Sequence, residues 1–212
     1  MPAPIPTPIY HITHWRNLPG ILASSGLFSC AALKKHKIHY HDLANEDVQD
    51  KRTRTRVPRA SGGTLHDYIP FYFAPRSPML YVINQGGPQY PEKQVPIIHL
   101  VSHAQAVYLA KRPAVFTNGH AIMALSDFFT DLANLDRIDW EVMASRWWND
   151  TAKHPGRKRR RQAEFLVHYH LPWPLVTEIA VFNPTVAREV LKALRDAPHK
   201  PPVVVRRDWY YL

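Results

Sequence analysis

Glu164 stands alone as an acid between Asp150 and Glu178, three residues after the basic run Arg157-Lys158-Arg159-Arg160-Arg161. A lone carboxylate at the mouth of a basic loop can act electrostatically on a substrate that the loop already holds by its phosphates. From this segment alone it reads more readily as a strand-edge glutamate that balances five positive charges. Upstream, Tyr10-His11-Ile12-Thr13-His14 alternates apolar and polar side chains, so a strand there can present an imidazole and a hydroxyl to one ligand. A histidine in that pattern can also be an ordinary satisfied core residue. Gly62-Gly63 is no phosphate loop, because it lacks both the Lys-Ser/Thr of a P-loop and the GxGxxG spacing. Thirteen histidines invite a metal reading, but none falls in an HExxH pattern and no cysteine pairs join them, so no metal is expected.

The elements that must position these groups follow from local pattern. Residues 9–13 read as a strand, and Asn17 precedes a short helix over 18–22 with proline in its first turn. Residues 29–63 lack a clear period; a helical piece is expected near 45–54 and loop elsewhere. Residues 68–73 form an aromatic strand that Pro70 assigns to an edge or a bulge. Met79–Ile83 is a short helix or extended piece. Strands are expected at 95–101, 115–117, 162–168, 178–182 and 203–207. Helices are expected at 103–110, 125–135, 140–148 (Asp139 as N-cap) and 185–195. Short strands mixed with helices, without regular βαβ alternation, argue for an α+β fold. Residues 1–8 look like an extended N-terminal arm and 9–212 like one domain.

At 212 residues the chain can bury one substantial core. Hydrophobic content of 45% with 21% charged residues suits a soluble globular protein, and no apolar run reaches membrane-spanning length. The single cysteine, Cys30, excludes an internal disulfide framework and fits a reducing cytoplasm. Formal charge of +10, clustered at 51–59 and 157–161, favours a polyanionic partner, nucleic acid being the commonest.

Four stretches of this chain together resemble the DarT family of DNA ADP-ribosyltransferase toxins. They are IYHITH…NLPGIL at the start, GGTLHDYIPFYFAPRSPML in the middle, VFTNGHAIMA at 115–124 and RKRRRQAEFLV near the end. The resemblance implies a diphtheria-toxin-type ADP-ribosyltransferase fold, with a split mixed, largely antiparallel sheet flanked by helices and NAD+ gripped in its cleft. It implies NAD+ as co-substrate and transfer to a base, thymine in the best-known branch, in single-stranded DNA. Glu164 and Arg52 then correspond to the catalytic pair, with Arg54 and Arg56 as neighbouring registers for the arginine. His11, Thr13, Asn17, Tyr72, Ser77 and Met79 correspond to the NAD+ site. His120 lies near the acceptor base, and Trp147, Arg157, Lys158, Arg159 and Arg160 belong to the target-recognition loop. A DarG-like macrodomain antitoxin is the implied partner; the chain is expected to be monomeric, cytoplasmic and free of membrane. Other classes remain open on the residues: a non-catalytic nucleic-acid-binding protein, or a transferase acting on guanine, RNA or protein.

Overall fold

A computed structural model describes residues 1–211. The chain builds an eight-stranded mixed sheet and a separate two-stranded ribbon. In chain order the elements are β1 (Pro8–His14), α1 (Leu18–Ala23), β2 (Gly26–Phe28), α2 (Cys30–Lys35), α3 (Glu46–Arg54) and β3 (Tyr68–Tyr72). Then come α4 (Pro78–Gln85), β4 (Ile97–His103), α5 (Ala104–Leu109), β5 (Ala114–Thr117), β6 (Phe128–Phe129) and α6 (Trp140–Ala144). The last third holds α7 (Arg157–Arg161), β7 (Glu164–His168), β8 (His170–Pro172), β9 (Glu178–Val181), α8 (Pro184–Ala193) and β10 (Val203–Val205).

The large sheet runs β10-β9-β4-β1-β3-β7-β5-β6, and β2 pairs with β8 in the ribbon. Every neighbouring pair is antiparallel except β9 and β10, which α8 connects in parallel. The central strands β4 and β7 are nearly continuous apolar runs because both of their faces are covered. Ile9, Phe71, Phe73, Phe116, Phe165 and Trp140 fill one large cluster; Leu80, Ile83, Ile97 and Tyr210 fill another.

The sheet is split beside β1. Along β4 the pairing is complete, from Pro8 opposite His103 to His14 opposite Ile97. Toward β3 it is confined to Tyr10 opposite Tyr72. Pro70 therefore does not sit on an outer edge: β3 lies inside the sheet, and Pro70 faces Leu166 across β7. Proline has no N–H to donate, and at its level β1 has already diverged. Its free carbonyl instead accepts from His11 Nδ1 at 2.8 Å.

Helix starts follow their caps. Ser29, Asn45, Ser77, Asp139 and Asn183 each accept a backbone N–H of the first turn, and Pro78 and Pro184 occupy first-turn positions. On α3, Glu46 and Asp47 open the helix while Lys51, Arg52 and Arg54 close it, both complementing the helix dipole.

Several expectations give way. Residues 125–135 form β6 and a 3-10 turn rather than a helix. The Asp127 N–H donates to Asn118 Oδ1 while its carboxylate accepts from the Asn118 amide, and Asp131 accepts the Ala133 N–H, which favours turns over helix. The helix expected over 140–148 stops at Ala144, where the Arg161 guanidinium takes the carbonyls of Val142, Met143 and Ser145. β2, α2, α7 and β8 arise in stretches read as loop or left unassigned. The N-terminal arm is also shorter than eight residues. Pro8 begins β1, and Thr7 is fully buried, bonded through its N–H to Gln105 and its carbonyl to Ala104.

Candidate active site

The split between β1 and β3 opens into a cleft of about 1230 Å³, open solvent at its mouth included. His11, Thr13 and Asn17 line one wall, Tyr72, Met79 and Pro70 the other, and Arg52, His120 and Glu164 its floor. The strand pairings explain this convergence. Glu164 is the first residue of β7 and stands opposite Tyr72, which in turn stands opposite Tyr10 next to His11.

Glu164 is buried to 2% exposure, a costly place for a carboxylate unless every lone pair is met. Arg52 Nη1 donates to its Oε2 at 2.7 Å, and the Ala121 N–H donates to its Oε1 at 3.1 Å. The Glu164 N–H is fixed by Thr117 Oγ1 at 3.1 Å. Burial alone would raise this carboxyl. Arg52, His120 and the two donated hydrogen bonds outweigh it and hold the group below its ordinary value. The side chain is therefore ionised at neutral pH.

Arg52 is 8% exposed and also donates to the Leu65 carbonyl at 3.4 Å. Arg54, by contrast, pairs with Asp50 in solvent, and Arg56 is exposed. Of the three candidate arginines only Arg52 reaches the cleft floor. Burial lowers the His120 imidazole, with the Glu164 charge only partly offsetting this, so it is neutral at pH 7. His11 is likewise lowered by burial, and its hydrogen bond to Pro70 fixes the ring with a proton on Nδ1 and a free Nε2. Burial and the neighbouring Glu164 charge raise the Tyr72 phenol, which stays protonated.

The expected NAD+-site residues divide. His11, Thr13, Tyr72 and Met79 line the cleft. Ser77 does not: it is 1% exposed, and its hydroxyl caps α4 by accepting from Leu80 N–H at 3.1 Å. Asn17 lines the cleft, but its amide is already engaged, donating to Thr13 Oγ1 and the His41 carbonyl and accepting from the His41 N–H. It ties the 36–45 loop to β1.

The basic run divides too. Arg157 donates to Ser145 Oγ and the Trp147 carbonyl, and Arg160 pairs with Asp139 at 2.8 Å. Arg159 reaches the Leu125 carbonyl and Ser126 Oγ, and Arg161 is buried among carbonyls. Lys158 is exposed, and Trp147 is 72% exposed while Trp148 packs inside against Tyr211. Sequence reasoning missed Ser29, Cys30, Tyr40, His41 and Gln49, all of which line the cleft, and the Ala121 N–H on its carboxylate. Ser29 at a helix N-cap was the one local signal; a backbone donor leaves none. Among the described residues no group of three His, Cys, Asp or Glu could hold a metal ion. No helix among them is long and apolar enough to cross a membrane.

The family model described as "ssDNA thymidine ADP-ribosyltransferase, DarT" matches residues 10–211. A DNA ADP-ribosyl transferase of Thermus sp. (strain 2.9) is 46% identical over 98% of each chain. The structure of Thermus sp. 2.9 DarT in complex with ADP-ribosylated ssDNA superposes with a TM-score of 0.93 at 44% identity, covering 100% of this chain and 99% of that one. The same protein in complex with NAD+ superposes at 0.87 and 43% identity, covering 99% and 100%. More distantly, 96% of the chain is 24% identical to 49% of a Thermosipho africanus DNA ADP-ribosyl transferase–glycohydrolase fusion protein. By the matched family model, by identity along nearly the whole chain and by the shared split-sheet fold, the chain belongs to the DarT family.

Proposed function

We propose that this chain transfers ADP-ribose from NAD+ to a thymine base of single-stranded DNA, with Glu164 as the catalytic carboxylate. The observation that carries this is the buried, ionised Glu164 at the foot of the cleft between β1 and β3, held by Arg52 and the Ala121 N–H. The NAD+ and ADP-ribosylated-ssDNA complexes of the Thermus protein support the two substrates.

The bond that breaks joins the nicotinamide nitrogen to the ribose anomeric carbon. Nicotinamide takes the bonding pair and leaves neutral, so no general acid is needed. The ribose passes through an oxocarbenium-like state, which a nearby carboxylate stabilises as in glycoside hydrolysis. Each Glu164 oxygen receives one protein donor, which leaves lone pairs to hold the ribose 2′-hydroxyl and face the cation. A thymine ring nitrogen then bonds to the anomeric carbon, and its proton passes to Glu164. Arg52, a permanent cation, favours the deprotonated base and orients the carboxylate. His11 and Thr13 hold the nicotinamide ribose, and Tyr72 supplies a ring against nicotinamide, with Met79 beside it. Neutral His120 sits where the acceptor base must come. The base edge must be exposed for this proton transfer, so a single strand is the economical substrate. Trp147 and Lys158 are the exposed groups that would receive it. Ser77 and Asn17 act one step back, by capping α4 and tying down the 36–45 loop. A DarG-like macrodomain antitoxin would reverse the modification, in keeping with the Thermosipho fusion. The unpaired Cys30 suits a reducing cytoplasm, and the active unit would be a monomer.

Mass spectrometry of a thymine-containing single-stranded oligonucleotide incubated with the chain and NAD+ tests the reading. A gain of one ADP-ribose is expected. Glu164→Gln should slow it on the order of a hundredfold, and oligonucleotides without thymine should stay unmodified. An oligonucleotide that is bound but never gains mass would leave a binding protein in place of an enzyme.

A further inference from the structure

The loop between β5 and β6 carries His120 and the Ala121 N–H to Glu164, and the basic helix α7 holds that loop in place. The His120 N–H donates to the Arg159 carbonyl at 3.0 Å. The Arg159 Nη1 crosses back to the Leu125 carbonyl and to Ser126 Oγ, each at 3.2 Å. Arg159 thus binds both ends of the loop, one through its backbone and the other through its side chain. Gly119 makes room for the crossing: a methyl group there would overlap the Arg159 guanidinium and crowd Ser126 Oγ. Two residues on, Ala121 delivers its N–H to Glu164 Oε1 at 3.1 Å. Ala121 itself is buried, so this donor has little freedom once the loop is seated.

We propose that Arg159 is a positioning residue: its guanidinium, threaded past Gly119, latches the 118–127 loop so that the Ala121 N–H stays on the Glu164 carboxylate and His120 stays at the cleft floor. This rests on the transferase reading and deepens it. Basic charge in this run was expected to attract DNA backbone. For Arg159 the geometry assigns another task, because its Nη1 is committed to two acceptors of its own fold. The consequence is that the segment nearest the DNA and the catalytic carboxylate are mechanically joined through one side chain.

Arg159→Ala and Gly119→Ala separate the two roles, since Gly119 has no side chain with which to touch a phosphate. The alanine methyl displaces only the end of a flexible side chain, so the fold should survive. With NAD+ and a thymine-containing single strand, both variants should lose about tenfold in kcat while KM for either substrate stays within about threefold. That is the signature of an interaction realised in the transition state. The double variant should be no slower than either single one, because both cut the same latch. Arg159→Lys, which can still reach one acceptor, should recover part of the rate. The salt dependence of DNA binding should be unchanged in all of them, whereas Lys158→Ala should reduce its slope by about one.

Hydrogen exchange at the Ala121 amide reads the latch without any turnover: it should quicken in both alanine variants. An intact kcat in Arg159→Ala together with a shallower salt slope would make Arg159 a phosphate contact and end the proposal, as would unchanged Ala121 exchange in both variants. A wild-type chain that transfers nothing would instead refute the transferase reading, and the exchange measurement would still decide the latch.

Discussion

Arg52 and Arg161 are both buried, yet their charges are met by opposite means. Arg52, on α3, faces a carboxylate at 2.7 Å; burial pulls its pKa down, but Glu164 more than reverses this and leaves it raised. Arg161, at the end of α7, meets no acid among the described residues. Its Nε, Nη1 and Nη2 make five hydrogen bonds to the carbonyls of Arg76, Val142, Met143 and Ser145, and burial, with Arg76 nearby, lowers it to about 10. Carbonyl dipoles suffice to hold a guanidinium that only fastens α6, α7 and the loop before α4 together. Among the described residues a full negative charge is buried only at the cleft floor, where burial of an acid is otherwise a liability. Charge invested for shape and charge invested for chemistry are therefore distinguishable by what neutralises them.

Breaking the first of these should have the larger effect on stability. Arg161→Met keeps most of the side-chain volume but leaves the Met143 and Ser145 carbonyls without a donor, at roughly 1–3 kcal/mol for each one left unmet, while Val142 keeps the Ser145 N–H and Arg76 the Tyr211 hydroxyl. Partial relaxation should leave a net loss on the order of 4 kcal/mol, or about 10 °C in Tm for a domain of this size. Thermal unfolding checks it. A loss under about 1 kcal/mol would mean that water replaces the guanidinium and that the carbonyl cage is incidental.

Arg52→Lys tests the other side. The ammonium keeps the charge beside Glu164 but cannot span from Oε2 to the Leu65 carbonyl as the fork does. Stability should change by no more than about 1 kcal/mol while the transfer rate falls roughly tenfold. Rates and urea midpoints measured on one preparation would show whether activity and stability separate as the comparison requires.

How much of this could be read in advance follows the same division. The flanking strands were legible because their physics is local: His11-Ile12-Thr13 alternates, and 165–167 is a buried apolar run. The α8 helix was legible from 185 onward and the α4 segment only as a helix or extended piece at 79–83, because their caps, Asn183-Pro184 and Ser77-Pro78, stand just outside those spans. The helix α7 was not legible, because five consecutive basic residues carry no apolar period. It forms where Gly156 takes a left-handed turn (φ 73°) that places each guanidinium against a partner brought in by tertiary structure. Glu164 stood out as a lone acid, but nothing in residues 51–59 distinguished Arg52 from Arg54 except family resemblance; burial at the cleft floor does so directly. The Ala121 donor and the engagement of Asn17 with His41 are backbone contacts across long sequence separations, and side-chain identity does not encode them.

The smallest expected effect has the most diagnostic sign. In the wild-type chain the folded Glu164 lies below its unfolded value of 4.5, so the stability it contributes is fully present above pH 4.5 and is lost only as pH falls further, through the folded pKa. Arg52 is the largest influence holding it down, against burial that pushes it up. With Arg52→Ala, burial should win and raise the folded carboxyl above 4.5. The folded state then binds the proton first, and acidification stabilises it relative to the unfolded chain. The stability gap between wild type and Arg52→Ala should accordingly narrow as pH falls from 7 toward 5. Buried His99, held down to about 4, costs both proteins the same over that range and cancels in the difference. Urea midpoints at pH 7, 6 and 5 for the pair measure it. A gap that stays constant would mean that Glu164 finds another counter-charge when Arg52 is gone, and the contrast between the two buried arginines would lose its electrostatic basis.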